Sequence, residues 1–146
     1  MKAIIKKIFH PGINTYFESI GLLIVRIIVG AFMLTHGFGK LMILLDGASA
    51  MFPDPLGIGA SASLFLIVLA EFVCSILLIL GVATRLSVIP LLLGMLVAGL
   101  MVHGIDPFAA KELSLLYGVV YFMLIFTGPG KYSIDQLIFN ALDKKK

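Results

Sequence analysis

Four long apolar runs, separated by short polar breaks, restrict this sequence to one kind of fold. The runs cover approximately residues 19–45, 62–82, 86–103 and 112–127. About 20 apolar residues are needed for an α-helix to cross a bilayer. Only 13% of the 146 residues are charged and 60% are hydrophobic, whereas a soluble domain carries about 25% charged residues. The pattern therefore predicts an all-α integral membrane protein and argues against a soluble catalytic domain.

The connections between the runs predict how the helices pack. Successive helices joined by short loops are antiparallel neighbours, so residues 19–127 are expected to form a four-helix bundle. Residues 1–18 precede it as a basic, interfacial segment, and residues 128–146 follow it. In the last segment, Ser133 and Gln136 have the spacing of a capping box, and apolar residues then recur at helical spacing. We expect an amphipathic helix on the membrane surface there.

Basic residues are distributed unequally between the two sides of the predicted bundle. Eight lie on the side of both termini and two on the other side, the latter being Lys40 and Lys111. Because cytoplasmic segments of membrane proteins carry the excess of Lys and Arg, we predict that both termini are cytoplasmic. No basic face interleaved with aromatic residues is present, so the net charge of +3 does not indicate nucleic-acid binding.

Ionisable residues inside the apolar runs are the candidates for function, because a charge at the centre of a span costs about 2.5–3.5 kcal/mol. His36 and Glu71 lie at similar depth in neighbouring spans, roughly 13 Å from the same end by helical rise. Lys40 is one turn from His36 on the same face. Such residues usually face the bundle interior and pair with one another. We predict a polar pocket in the outer half of the bundle, formed by His36, Lys40, Glu71, His103 and Glu112.

Several candidate positions also have a purely structural interpretation. Arg26 either belongs to a binding site or extends toward headgroups or a neighbouring carbonyl. Lys40 either lies at the interface or pairs with Glu71. His103 either lines the pocket or ends its helix. Tyr117 either offers a hydroxyl to the interior or packs as an aromatic side chain.

Metal and haem sites have little support in the sequence. Cys74 is the only cysteine, which excludes an internal disulfide, and its apolar surroundings are typical of a buried thiol. Two histidine ligands of one haem b should lie at matching depth, yet His36 is deeper than His103. A metal bound by these histidines with Glu71 and Glu112 lacks any local ligand spacing. We therefore predict no resident metal ion and no haem b.

The order and spacing of these residues resemble the DoxX family over nearly the whole chain beyond residue 18. The matching motifs are Arg26-x-x-x-Gly30, His36-Gly37-x-x-Lys40, the mid-span Glu71, Gly81-x-x-Thr84-Arg85, His103, Glu112, and Gly128-Pro129-Gly130 with Ser133-x-Asp135. The resemblance implies a four-helix protein of the bacterial inner membrane. It also implies an association with quinone-linked redox systems, such as a terminal quinol oxidase or a thiosulfate:quinone oxidoreductase. The branch that handles disulfides has paired cysteines, which this chain lacks.

Two functional hypotheses follow. In the first, the chain is a membrane subunit of a redox complex, and its pocket binds a quinone headgroup. Lys40 or a histidine donates to a quinone oxygen, Glu71 or His36 relays protons, and Arg26, His103, Glu112 and Tyr117 are further binding candidates. No flavin, haem or iron–sulfur motif is present, so electrons come from a partner oxidoreductase. In the second hypothesis the chain is a small oligomeric carrier or a non-catalytic scaffold, and the polar cluster is a solute site or an ion-pair network.

Overall fold

The computed structural model describes residues 16–143, and within that range every regular element is helical. Four helices are long and apolar enough to cross a membrane: α1 (Tyr16–Leu45), α2 (Ala60–Leu80), α3 (Thr84–Val102) and α4 (Phe108–Thr127). A shorter helix, α5 (Ile134–Asp143), follows. The predicted all-α, four-span membrane fold is confirmed. The predicted N-terminal surface segment and the lysines at 144–146 lie outside the described residues, apart from the start of α1.

The helices begin and end within a few residues of the predicted limits, with one larger difference. α4 starts at Phe108, whereas the sequence suggested a start near residue 112. Pro107 immediately precedes this helix with a φ of −53°, an angle already suited to a helix start, where the missing N–H of proline has no cost. The break between α3 and α4 is therefore shorter than predicted, and α4 is a full-length span.

Neighbouring helices are antiparallel. Arg26 of α1 contacts Leu78 of α2, whereas Gly37, farther along α1, lies against Glu71, which comes earlier in α2. All four long helices contribute to one buried cluster, which consists of Met33, Cys74, Leu78, Val88, Leu91, Met95, Tyr121 and Leu124. Large apolar side chains also cover the outside of the bundle, as expected of surfaces that contact lipid.

Two of the membrane-spanning helices contain a π-helical segment, at Leu69–Cys74 in α2 and at Ala98–Val102 in α3. A π-helical turn uses i→i+5 hydrogen bonds and occurs frequently at functional sites. The first segment contains Glu71 and the second ends next to His103. The helical periodicity of the sequence gives no sign of either segment, because apart from Glu71 their residues are as apolar as the rest of each run.

The two ends of the bundle are built differently, and we call them the loop end and the turn end. The loop end carries residues 46–59 and 103–107. At the turn end, α2 stops at Gly81, whose φ of +70° favours glycine. The amides of Gly81 and Val82 donate back to the Leu78 and Leu77 carbonyls, which is a Schellman motif.

The turn end is closed by Arg26, which is 1% exposed. Its guanidinium donates to four backbone carbonyls, from two segments of the chain: Leu78 (3.1 Å), Ile79 (3.3 Å), Tyr132 (3.1 Å) and Pro129. The sequence left a binding site, lipid headgroups or a neighbouring carbonyl as possible partners of Arg26, and the structure shows contacts with carbonyls. Arg26 therefore connects α1 to the end of α2 and to the segment that precedes α5, far from the loop end.

Helix α5 contacts the bundle through a buried carboxylate. Asp135 accepts hydrogen bonds from the amides of Ala83 (2.6 Å) and Thr84 (2.8 Å) at the start of α3. The Ser133 hydroxyl accepts from the Gln136 amide at 3.2 Å, as the capping box predicts. The other half of that motif is absent, because the Gln136 side chain donates to Asn140. α5 is thus attached to the bundle by specific hydrogen bonds.

Candidate functional site

A cavity of about 550 Å³ opens at the loop end between α2 and α3. This volume lies within the range of about 300–1,000 Å³ that is common for small-molecule sites. Its walls are mostly apolar, and three ionisable side chains reach it. The lining residues are Lys40, Phe52, Pro53, Pro55, Leu56, Ser63, Leu66, Ile67, Leu69, Ala70, Glu71, Pro90, Leu93, Gly94, Val97, Ala98, Val102 and His103.

An ion pair between Lys40 and Glu71 forms one wall of this cavity. The Lys40 ammonium donates to Oε2 of Glu71. The Glu71 side chain is 3% exposed and that of Lys40 is 27% exposed. The carboxylate is therefore buried, while the ammonium remains accessible from the cavity. A lysine ammonium has three N–H donors, so Lys40 can bind Glu71 and a ligand oxygen at the same time.

Gly37 makes this ion pair possible because it allows close approach of α1 to α2. A Cβ atom at this position would lie 2.5 Å from the carbonyl carbon of Glu71 and 2.6 Å from the amide nitrogen of Phe72. The main chain of α1 thus rests directly on the π-helical segment of α2. Small residues at helix interfaces permit such packing in membranes. Lys40, one turn beyond Gly37, is then within reach of Glu71.

His103 is the second polar group at the cavity, and it has an acidic partner. Its Nδ1 lies 2.8 Å from Oδ2 of Asp106. The two side chains are 40% and 43% exposed, so the pair lies at the mouth of the cavity. Asp106 was not among the residues selected from the sequence, although its position three residues after a histidine at a helix end was a usable signal. A carboxylate on Nδ1 fixes the ring orientation and directs Nε2 elsewhere.

Two residues of the predicted pocket lie elsewhere. His36 is exposed and does not line the cavity. Helix geometry explains this, because His36 is about 100° around α1 from Gly37, which marks the line of contact with α2, whereas Lys40 is only about 60° away. Glu112 is also exposed, since α4 begins before it and turns this position outward.

Tyr117 also lies away from the cavity and packs as an aromatic residue. Its ring stacks on that of Tyr121, with centroids 6.0 Å apart and planes inclined by 26°, and it borders the buried cluster. Tyr121 is completely buried, and its hydroxyl has no hydrogen-bond partner in the described chain.

Within residues 16–143, no cluster of three or more His, Cys, Asp or Glu side chains is placed to hold a metal ion. Cys74 is a buried free thiol within the core of the bundle. The polar groups that line the cavity are therefore one ammonium, one buried carboxylate, one imidazole and the Ser63 hydroxyl. Such a site can bind a mostly apolar molecule that carries hydrogen-bonding oxygens at one end.

The fold and this cavity define a class: a small membrane protein of four antiparallel spans with an ion-paired cavity at one end of the bundle. The DoxX family model matches residues 21–104, and the chain belongs to the DoxX family. The matched region contains Lys40, Glu71 and His103, and ends before α4.

Two relatives extend the comparison beyond the family match. An uncharacterized membrane protein of Mycobacterium tuberculosis is 31% identical over 137 residues, covering 77% of each chain. An uncharacterized protein of Haemophilus influenzae is 30% identical over 125 residues, covering 79% of this chain and 88% of that protein. No solved structure matches the chain significantly.

Proposed function

We propose that this protein is a membrane subunit of a quinone-linked redox complex and that the cavity at the loop end binds the quinone headgroup. The observation that supports the proposal is an apolar cavity of about 550 Å³ with the Lys40–Glu71 ion pair in its wall. A charged pair beside apolar walls suits an amphiphilic ligand with a polar head. Association of DoxX relatives with quinone systems favours the same ligand class.

The residues present fit a quinone ring. Quinone oxygens are hydrogen-bond acceptors, and Lys40 offers N–H groups that Glu71 does not use. Leu66, Leu93 and Val97 provide apolar walls for the ring and the first part of an isoprenoid tail. When bound, a quinone supplies two-electron, two-proton redox chemistry. No flavin or iron–sulfur motif occurs in the sequence, and the proposal therefore assigns electron delivery to a partner oxidoreductase.

Three side chains have distinct roles in this proposal. Lys40 binds and orients a ligand oxygen. Glu71 holds Lys40 in place through the ion pair that its buried carboxylate forms, and it is the carboxylate through which a proton reaches the site. His103, held by Asp106 at the mouth, is the imidazole that accepts or delivers a proton at the aqueous border.

The proposed location is the bacterial cytoplasmic membrane, with the turn end facing the cytoplasm. In the described chain Arg85 and Lys131 lie at the turn end, whereas Lys40 and Lys111 lie toward the loop end. In the sequence, six further lysines precede α1 or follow α5. This excess of basic residues marks the cytoplasmic side. The cavity would then face the extracytoplasmic half of the bilayer.

A second candidate function, an oligomeric carrier or an assembly scaffold, is favoured by one observation. His36 is exposed within a membrane-spanning helix, where ionisable side chains usually face protein or a cavity. A second copy of the chain or a membrane partner would cover it. In this alternative the Lys40–Glu71 pair fixes α1 on α2 and binds no ligand.

Ligand binding to the purified protein distinguishes the two functions. The chain has no tryptophan, so equilibrium dialysis or calorimetry with a short-chain ubiquinone or menaquinone analogue in lipid nanodiscs is suitable. Lys40→Met should weaken binding about tenfold or more, as expected for the loss of a hydrogen bond from a charged donor worth about 1.5–3 kcal/mol. Lys111→Met is the matched control, because Lys111 lies at the loop end and donates to the Gly104 carbonyl away from the cavity.

The proposal is supported if quinone also co-purifies with the wild-type protein and is reduced in Lys40→Met. It is rejected if the wild-type protein binds neither analogue, or if Lys40→Met and Lys111→Met bind with equal affinity. A homo-oligomer that carries no quinone and no oxidoreductase would favour the carrier or scaffold.

A further inference from the structure

The cavity at the loop end extends far along the membrane-spanning helices. Its wall on α3 reaches from His103 to Pro90, which corresponds to about 20 Å at a rise of ~1.5 Å per residue. The hydrocarbon core of a bilayer is about 30 Å thick. Most of the cavity therefore lies at depths where acyl chains, and not water, surround the protein.

Three leucines belong both to the cavity wall and to the outer surface of the bundle. Leu66 and Leu69 of α2 are 48% and 43% exposed, and Leu93 of α3 is 56% exposed. Each lies at least six residues from both ends of its helix, which is roughly 9 Å or more. Side chains that line a cavity and also face outward form the rim of an opening. This opening lies between α2 and α3, within the membrane.

Both helices depart from regular α geometry where they border the cavity. In α2 the π-helical segment Leu69–Cys74 supplies Leu69, Ala70 and Glu71 to the wall. In α3 the wall includes Pro90, inside the helix, and residues of the π-helical segment Ala98–Val102. Prolines and π-helical turns bend helices. Irregular backbone at membrane depth is tolerated where it lines a cavity, so these features are consistent with a site built into the span.

The loop of residues 46–59 covers the cavity at its aqueous end. Four of its residues belong to the wall: Phe52, Pro53, Pro55 and Leu56. Asp54 attaches this loop to α2, because its carboxylate accepts from the Gly59 amide at 2.7 Å and from the Ser63 hydroxyl at 2.6 Å. A molecule that arrives from water therefore meets an apolar cover that is hydrogen-bonded in place.

We propose that the ligand enters the cavity from the bilayer, through the opening between α2 and α3, and keeps an apolar tail in that opening. The ligand class is then a lipid-soluble molecule with a tail, and not a water-soluble headgroup compound. The polar head lies at Lys40, and its identity as a quinone rests on the function proposed above. Leu66 and Leu93 contact the tail at the rim and determine which tails fit.

Tryptophan fluorescence tests the opening without any quinone. The chain has no tryptophan, so a single introduced residue reports alone. Val97→Trp places the indole in the cavity wall. Leu92→Trp is the matched control, because Leu92 is also half-buried on α3 but faces Gly118 of α4 and does not line the cavity. Leu86→Trp, on the outer surface of α3, is the lipid-exposed reference.

Two quenchers distinguish lipid from water as the route of access. In bilayers with brominated acyl chains, we expect the Val97→Trp fluorescence to be quenched nearly as strongly as that of Leu86→Trp, and more strongly than that of Leu92→Trp. Acrylamide added to the water should quench Val97→Trp only weakly. Strong quenching by acrylamide with weak quenching by brominated chains, or equal quenching of Val97→Trp and Leu92→Trp by brominated chains, would overturn the proposal.

Quinone binding tests the place of the tail. Leu93→Trp narrows the opening, and Leu86→Trp is its control, because Leu86 lies on the same face of α3, is 59% exposed and is not part of the wall. In lipid nanodiscs, Leu93→Trp should weaken binding of a quinone with a decyl tail about fivefold or more. Leu66→Trp, on the opposite rim, should do the same, and Leu86→Trp should bind like wild type.

The two measurements fail separately. If Leu93→Trp and Leu66→Trp both bind the tailed quinone as tightly as Leu86→Trp, the tail does not lie in the opening and the proposal is wrong. If the wild-type protein binds no quinone at all, the proposed function is rejected, while the quenching of Val97→Trp still decides whether the cavity opens to lipid.

Discussion

Gly37 and Gly39 stand two residues apart on α1, and the structure gives them opposite roles. Gly37 lies against the backbone of α2 at Glu71, whereas a Cβ atom on Gly39 would meet nothing within 4 Å. Alanine at each position adds the same methyl group to the same helix. The pair of variants therefore separates the effect of helix contact from the effect of helix propensity.

The size of the effect follows from the distances at Gly37. An alanine Cβ would lie 2.5 Å from the Glu71 carbonyl carbon, while ordinary contacts begin at 3.4 Å, so α1 and α2 must separate locally by about 0.9 Å. Because the opposing atoms are main chain, no rotamer change relieves the clash. Overpacking of this kind costs about 1–3 kcal/mol, or about 3–10 °C in melting temperature for a chain of this size.

Thermal unfolding in a mild detergent measures both variants. Gly37→Ala should melt about 3–10 °C below wild type. Gly39→Ala should match wild type or exceed it by up to about 3 °C, since alanine favours a helix by up to about 1 kcal/mol. If Gly37→Ala is as stable as Gly39→Ala, the close approach of α1 to the π-helical segment of α2 is wrong.

Three further predictions concern polar contacts. Lys40→Met and Glu71→Gln should each lower the free energy of unfolding by about 1.5–3 kcal/mol, the worth of a hydrogen bond to a charged group. In a double-mutant cycle the combined loss should be smaller than the sum of the single losses, and additive losses would argue against the pair. Asp135→Asn weakens the cap on α3 and should cost about 1–2 kcal/mol in the same unfolding assay, so an unchanged melting temperature would contradict that role. The pKa of Asp54 lies below its ordinary value of 3.8 because the Ser63 hydroxyl and nearby amides donate to it. The stability that Asp54 gives to the loop of residues 46–59 should be complete above about pH 4 and lost as the pH falls through the lowered pKa. Amide hydrogen exchange in this loop measures that loss, and Asp54→Asn, in which the loss should not occur, is the control.

Most of the fold follows from the hydrophobic pattern of the sequence and from the glycine and proline residues at helix boundaries. The four apolar runs have the length of membrane spans, and Gly81 ends α2 where a left-handed residue is required. The start predicted for α4, near Glu112, is too late because residues 104–111 read as a loop that ends at Lys111, although Pro107 is the stronger boundary signal. Composition locates a span well, but a polar first turn of a helix resembles the loop before it.

The candidate site was only partly predictable, for a reason of geometry. Depth along a span follows from counting residues, which predicts a similar level for His36 and Glu71 and places Lys40 one turn away from His36. In the structure it is Lys40 that contacts Glu71. The direction of a side chain around the helix depends on which face touches the neighbour, and Gly37 marks that face. His36 shares its depth with Glu71 but turns outward. The π-helical segment at Glu71 also changes the direction in which the following side chains of α2 point. No residue pattern in the sequence predicts this segment.

The contacts of Arg26 have a consequence for how the protein is made. The arginine precedes its partner Leu78 by 52 residues and its partner Pro129 by 103 residues. While the ribosome is still synthesising α3 and α4, the first span already holds a cation whose acceptors in the last segment do not yet exist. Assembly of the first hairpin is therefore completed only when the end of the chain emerges. A premature stop before residue 129 would remove two of the four carbonyls to which Arg26 donates, those of Pro129 and Tyr132. We therefore expect chains shortened there to be rapidly degraded.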